Sequence, residues 1–117
     1  MATEESNISA KIMMAAAKEG ATLFKNVRGF FWTLDMQRKI RAGLQCGGSS
    51  DLIGWTRVKV TEDMVGKTVA IFTCIEAKTA TGGNGSPDQK LFIANVKKAG
   101  GIAGIARNES DAIKLLS

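Results

Sequence analysis

Phe72-Thr73-Cys74-Ile75-Glu76-Ala77-Lys78, then a polar Gly-rich stretch over 79–85, then Ser86-Pro87-Asp88-Gln89 leading into an apolar-periodic segment, is the run of sequence that decides the fold class. Its first part belongs to Lys67 to Ile75, where Val69, Ala70, Ile71, Phe72 and Ile75 predict a central, buried strand. Ser86 then stands as an N-cap, Pro87 in the first turn and Gln89 three residues after the cap, which together predict a helix start. That helix runs to about Ala99, where Gly100-Gly101 ends it. Ile102 to Ala106 follows as a short buried strand, and Asn108 caps a last helix carrying Ala112, Ile113, Leu115 and Leu116.

Upstream, Ser6 to Lys18 places Ile8, Ile12, Met13, Ala15, Ala16 and Ala17 at helical spacing before Gly20. Ala21 to Phe24 and Phe30-Phe31-Trp32-Thr33 read as short strands, and Leu34 to Leu44 is ambiguous. Gly47-Gly48-Ser49-Ser50 is a turn leading into a strand over Asp51 to Val58. The order is helix, several strands, helix, strand, helix: an α/β chain of the α+β kind, with helices packed on a mixed sheet. At 117 residues with 44% hydrophobic content there is room for one domain, 1–117, with one modest core.

Sixteen Lys and Arg against eleven Asp and Glu give a net charge of +5, which suits a polyanionic partner. The chain contains no His and no Tyr, so Ser-His-Asp hydrolysis, His-metal sites and a tyrosine nucleophile are excluded within it. Any catalysis falls to carboxylates and Lys. Cys46 and Cys74 show neither zinc-site nor disulfide spacing, which suits a reducing compartment. The apolar run Ile12 to Ala17 is far too short to span a membrane, and the acidic start Thr3-Glu4-Glu5 contradicts a signal peptide; the expectation is a cytoplasmic protein.

On a strand, Glu76 and Lys78 project from one face, holding a carboxylate beside an ammonium. If the strand opened by Asp51 pairs antiparallel with the one ended by Glu76, through a turn near 63–66, two carboxylates converge at one sheet edge. That suits a hard divalent cation, with the Ala77 carbonyl as a further oxygen. Taken singly, each part has a plainer reading. Glu-x-Lys is common on solvated strand faces, Asp51 is an ordinary turn residue, and Gln89 is the capping partner of Ser86.

The order and spacing of the whole set resemble the VRR-Nuc group of the PD-(D/E)xK nuclease superfamily. The pieces that carry the resemblance are Gly48 to Gly54 around Asp51, Phe72 to Lys78, Ser86 to Ile93, Ala99 to Ala103, and Ser110 to Ile113, from about Glu5 to Leu116. Ser50 stands where the superfamily has its name-giving Pro, and the match is loose over Asp35 to Cys46. The resemblance implies a restriction-endonuclease-like core and a stand-alone minimal nuclease of the kind phages encode, working in the host cytoplasm. It implies Mg²⁺ or Mn²⁺ held by Asp51, Glu76 and the Ala77 carbonyl, Lys78 as the catalytic lysine, and Gln89 positioning the attacking water or the phosphate. A Glu on the first helix is expected near the metal. Glu5 matches it best, with Glu4 and Glu19 as alternatives.

The family's small members resemble Holliday-junction resolvases, which implies an endonuclease acting on branched DNA as a homodimer. Lys25, Asn26 and Arg28 follow the first strand where the family has a basic residue plus Asn, and Arg38, Lys39 and Arg41 form the densest positive cluster; these are the expected DNA contacts. Trp32 and Trp55 read as core or interface residues rather than stacking platforms, and Phe30-Phe31-Trp32 as an apolar interface or core segment. The competing classes are a non-catalytic nucleic-acid-binding module with the same fold and, more remotely, an assembly protein whose charges form a surface ion-pair cluster.

Overall fold

A computed structural model describes residues 4–27, 29–44 and 48–117. The element order is α1 (Glu4–Lys18), β1 (Ala21–Lys25), β2 (Gly29–Trp32), β3 (Lys39–Ala42), β4 (Leu52–Thr56), β5 (Thr73–Ala77), α2 (Pro87–Lys98), β6 (Ile102–Ala106) and α3 (Glu109–Leu116), with a short 3₁₀ turn at Glu62–Met64 before β5. The predicted alternation of helices and strands is therefore present. The chain divides into two compact units, Met1–Val58 and Lys59–Ser117.

In the first unit β1 and β4 pair antiparallel, with Leu23 opposite Gly54 and Phe24 opposite Ile53, and α1 packs on β1. The Phe24 and Trp55 rings meet at 5.4 Å between centroids, so Trp55 is the packing residue its sequence context predicted. The half-buried positions of α1 are Ser6, Ser9, Met13 and Ala16, while Ile8 and Ile12 are exposed. The helix thus turns a stripe of smaller residues toward β1 than its apolar periodicity suggested. Strands β2 and β3 make an antiparallel hairpin of their own. Its tip is an Asp-centred turn: the Asp35 carboxylate accepts from the Thr33 hydroxyl and the Gln37 amide, and Met36 takes a positive φ of 59°. The Thr33 bond, then the Gln37 bond, holds the Asp35 carboxyl below the usual carboxylate range. The tip's charge-assisted bonds therefore persist at ordinary acid pH and are lost only as pH falls through that lowered value.

Asn26 is the one polar residue buried among the described residues. Its amide nitrogen donates to Ser49 Oγ (3.1 Å) and to the Ser50 carbonyl (2.9 Å), its amide oxygen accepts from Leu44 N–H (2.9 Å), and its own N–H donates to the Asp51 carbonyl at 2.8 Å. It was expected at the DNA surface; its side chain is instead spent inside, pinning both ends of the 44–50 segment and fixing the backbone on which Asp51 sits. Asn26→Ala would strand the Leu44 N–H and the Ser50 carbonyl, so a loss of about 2–3 kcal/mol is expected, read as a lowered Tm. Unchanged stability with weakened DNA binding would return Asn26 to the DNA surface.

In the second unit β5 and β6 pair parallel, with Glu76 opposite Ile105 and Ala77 opposite Ala106. The connecting helix α2 covers the face carrying Cys74, Glu76, Ala103 and Ile105. Helix α3 covers the other face at β6, where a Cβ on Gly104 would meet Leu115 Cδ2 at 2.5 Å. Val96, Ala103 and Ala106 are the buried apolar residues among those described, so the core sits on β6 rather than β5. Gly101 admits the close approach at the start of β6, because a Cβ there would lie 2.8 Å from the Phe72 carbonyl oxygen.

Two expectations fail here. The described strands form three two-stranded sheets, not one mixed sheet, and β4 pairs with β1 while β5 pairs with β6. The 3₁₀ turn spends its hydrogen bonds locally, Met64 to Thr61, Val65 to Glu62 and Lys67 to Met64, and the residues flanking it do not ladder; it is not a hairpin turn between β4 and β5. Nor is Lys67 to Ile75 a buried central strand. Strand β5 begins only at Thr73, Val69 and Ile71 are exposed, and Ile75 is 41% exposed, because α3 packs chiefly on β6 on that face.

Candidate active site

Alternation along β5 sends Glu76 and then Lys78, just past the strand, toward the N-terminus of α2. Ser86 caps that helix reciprocally: its hydroxyl accepts from Gln89 N–H at 3.1 Å, and Gln89 Oε1 accepts from Ser86 N–H at 2.9 Å. With its backbone fixed in this way, the Gln89 amide reaches the strand. Its Nε2 donates to Glu76 Oε1 at 3.0 Å, and its Oε1 also accepts from Lys78 Nζ at 3.1 Å. Lys78 Nζ lies 3.5 Å from the same Glu76 oxygen. The capping and site readings of Gln89 are thus both satisfied by one side chain. Gly85, at φ +96°, makes room for it, since a Cβ there would sit 3.2 Å from Gln89 Oε1.

Both contacts of the Glu76 carboxylate among the described residues fall on Oε1, which leaves Oε2 to an incoming ligand. Strand pairing supplies a second oxygen. Ile102 N–H donates to the Phe72 carbonyl and Lys78 N–H to the Ala106 carbonyl, so the even-numbered residues of β5 face β6. By the alternation of the ladder, the Ala77 carbonyl turns to the opposite edge. A carboxylate and a carbonyl are the hard oxygens that Mg²⁺ takes with one or two carboxylates, waters and phosphate, so these donors fit such an ion. Among the described residues no group of three or more His, Cys, Asp and Glu is gathered. Cys74, two residues before Glu76, has its thiol pushed up by burial, which keeps it protonated and out of nucleophilic chemistry.

Asp51 lies in the first unit, directly before β4, with its backbone held by Asn26. The antiparallel pairing that was to bring it to Glu76 is not formed among the described strands. Glu5 and Glu4 are exposed in the first turn of α1, and Glu19 is exposed just after that helix. Lys25 ends β1, exposed; Arg38 precedes β3, and Lys39 and Arg41 are on it, all exposed. Arg28 lies outside the described residues, as does Cys46.

Arg107 is the residue that sequence reasoning passed over. Its guanidinium Nη1 donates to the carbonyls of Thr79 and Gly82, both at 2.7 Å, and Nη2 to the Gly83 carbonyl at 2.8 Å and Asn84 Oδ1 at 3.0 Å. One planar cation thereby holds the whole Gly-rich loop between Lys78 and Ser86. The signal was present in the pattern: parallel pairing of β5 and β6 sets Arg107 level with Lys78, beside a loop whose glycines leave their carbonyls bare.

Gln89→Ala removes the bridge between Glu76 and Lys78 together with half of the capping box. A roughly tenfold loss of DNA cleavage rate is expected, with a Tm decrease corresponding to about 1 kcal/mol. A lowered Tm with full rate would leave Gln89 as a cap alone.

Strands β5 and β6 with α2 between them thus form a βαβ unit that carries Glu76 and Lys78 at the end of its first strand and Gln89 from the helix bonded to both. The sequence model of the VRR-NUC domain matches residues 5–109, nearly the whole chain. The chain belongs to the VRR-NUC family, which gives it a nuclease-type function with DNA as the substrate class. Comparisons with curated proteins and with solved structures give no significant match. No helix among the described residues is long and apolar enough to cross a membrane.

Proposed function

We propose that this chain is a divalent-metal-dependent endodeoxyribonuclease of PD-(D/E)xK type, acting as one domain over 1–117 on branched DNA. The observation that carries the reading is the Glu76–Gln89–Lys78 cluster, built within a chain matched almost throughout by the VRR-NUC family. Asp51, Glu76 and the Ala77 carbonyl would hold Mg²⁺ or Mn²⁺, with Glu5 as the candidate carboxylate from α1. When bound, the ion supplies positive charge that activates water for attack and neutralises the scissile phosphate. Lys78 brings a fixed ammonium to the side of Glu76, where it stabilises negative charge developing on the phosphate. Gln89, donating to one and accepting from the other, keeps the carboxylate and the ammonium in register. Lys25, Arg38, Lys39 and Arg41 supply sequence-independent phosphate affinity.

The test is cleavage of end-labelled four-way junction, flap and linear duplex with Mg²⁺, with Mn²⁺ and with EDTA. Cutting of branched substrates that requires either ion is the expected result. Tight binding without cutting under both ions would make the chain a non-catalytic module.

Resolving a four-way junction takes two incisions on symmetry-related strands, and each chain carries one Glu76–Lys78 cluster. A two-fold homodimer supplies two, and symmetric closure is the commonest oligomeric solution. Light scattering is expected to give the mass of two chains. A stable monomer that cuts both strands in one binding event would refute the dimer.

A further inference from the structure

We propose that the β2–β3 hairpin is a single-strand-binding arm, in which Phe30 and Trp32 stack on unpaired bases while Lys39 and Arg41 take the adjoining phosphates. Residues opposite each other in an antiparallel pair share a face, and here Phe30 stands opposite Arg41 and Trp32 opposite Lys39. Two aromatic rings and two cations therefore lie on one face, with Phe31 and Ile40 on the other. The rings are not core: Phe30 is 54% and Trp32 55% exposed, and the two strands pack chiefly on each other. Of the two readings expected for Trp32, core or interface, its exposure removes the core one.

Both cations lie over the Phe30 ring, Lys39 Nζ 4.7 Å and Arg41 Cζ 4.9 Å from its centroid. Among the described residues neither is in an ion pair, so both charges remain available to a polyanion. A base that displaces one of these flexible side chains from the Phe30 face would have its phosphate within reach of both cations, the pairing of stacking surface and positive charge that single-strand sites use. Residues two apart on a strand are separated by about 7 Å, roughly twice the rise per base of a stacked strand, so each ring takes a base only where bases have come apart from one another. Duplex DNA does not offer that; an unpaired arm at a branch does.

A second copy of this chain is the other candidate occupant, and charge argues against it. A two-fold contact through this face would bring Lys39 and Arg41 toward their own symmetry mates. The carboxylate of the hairpin itself, Asp35, is already engaged by Thr33 and Gln37. The inference deepens the nuclease reading by naming the part of the substrate the hairpin holds, and it rests on that reading only for the choice of DNA.

The experiment measures anisotropy of fluorescein-labelled oligo(dT) and of an equal-length duplex with the full chain in EDTA, so that binding is read without cleavage. The double variant Phe30→Leu/Trp32→Leu keeps apolar side chains on the hairpin but removes both π-faces. It is expected to weaken oligo(dT) binding about tenfold or more and duplex binding by less than about twofold. Phe31→Leu, on the opposite face, is expected to leave both unchanged. Lys39→Gln/Arg41→Gln is expected to lower the salt slope for oligo(dT) by about 1.4. Native oligo(dT) affinity in the leucine pair, or equal losses on single strand and duplex, would overturn the arm. So would a change confined to the mass by light scattering, which would assign the face to a second copy. Loss of oligo(dT) binding in a protein that never cleaves keeps the arm and removes the nuclease reading; a cleaving protein indifferent to the leucine pair does the reverse.

Discussion

Glu76→Gln is expected to lower DNA cleavage by roughly a thousandfold or more while leaving the fold in place, a loss of about 4 kcal/mol of transition-state stabilisation. The two consequences separate because the amide retains the carboxylate's shape but not its charge. Gln89 Nε2 now donates to Glu76 Oε1, and an amide oxygen at that position accepts the same bond. The Lys78 contact at 3.5 Å is half-exposed and contributes little to stability on its own. What disappears is the negative charge that Glu76 would present to an incoming cation through its unengaged Oε2. Mn²⁺ affinity measured by calorimetry should therefore fall together with cleavage, while Tm should hardly move. Asp51→Asn is expected to behave alike. Lys78→Ala should also inactivate, but with the ion's affinity retained, since it removes a cation and not a ligand. Native cleavage rates in Glu76→Gln under Mg²⁺ would remove Glu76 from the site.

The local parts of this site were legible because they are written in consecutive residues. Ser86, Pro87 and Gln89 predict a capped helix start from hydrogen-bonding rules that involve only one turn of chain, and the structure forms that cap reciprocally. Strand β6 was legible for the same reason, as a short apolar run between Gly-Gly and an Asn cap. Pairing partners were not, since which edge a strand offers is decided by distant chain. Asp51 to Val58 looked like a partner for the Glu76 strand, yet β4 pairs with β1 and the 3₁₀ turn keeps the intervening segment off a hairpin. Burial was equally opaque. Phe30 and Trp32 have the composition of a core strand, and only the register with Lys39 and Arg41 shows the aromatic and cationic residues sharing one exposed face. Asn26 read only as an expected DNA contact, because its bonds to Leu44 and Ser50 are made to chain 18 and 24 residues away.

Arg107→Met is expected to cost about 2–3 kcal/mol in stability and to lower cleavage at least tenfold, although Arg107 touches neither Glu76 nor Lys78 through any bond described here. One guanidinium donates to four acceptors within 3.0 Å, the Thr79, Gly82 and Gly83 carbonyls and Asn84 Oδ1, of which the Thr79 carbonyl also accepts from Gly82 N–H. These groups are partly exposed, so water replaces some of the lost bonds and the cost stays below the sum of four charge-assisted contacts. Geometry is what water does not replace. The loop joins Lys78 to Ser86, and Ser86 fixes Gln89; a slack loop therefore lets the ammonium and the amide drift relative to Glu76. Arg107→Lys should fail to rescue, because a single ammonium cannot span carbonyls on both sides of the Gly82-Gly83 step as a planar fork does. A positioning role predicts that kcat falls while KM for DNA stays near native, and that amide exchange speeds up across 79–85. Direct phosphate binding by Arg107 would instead raise KM and lower the salt slope with the loop still protected, and that outcome would move Arg107 from the scaffold to the DNA surface.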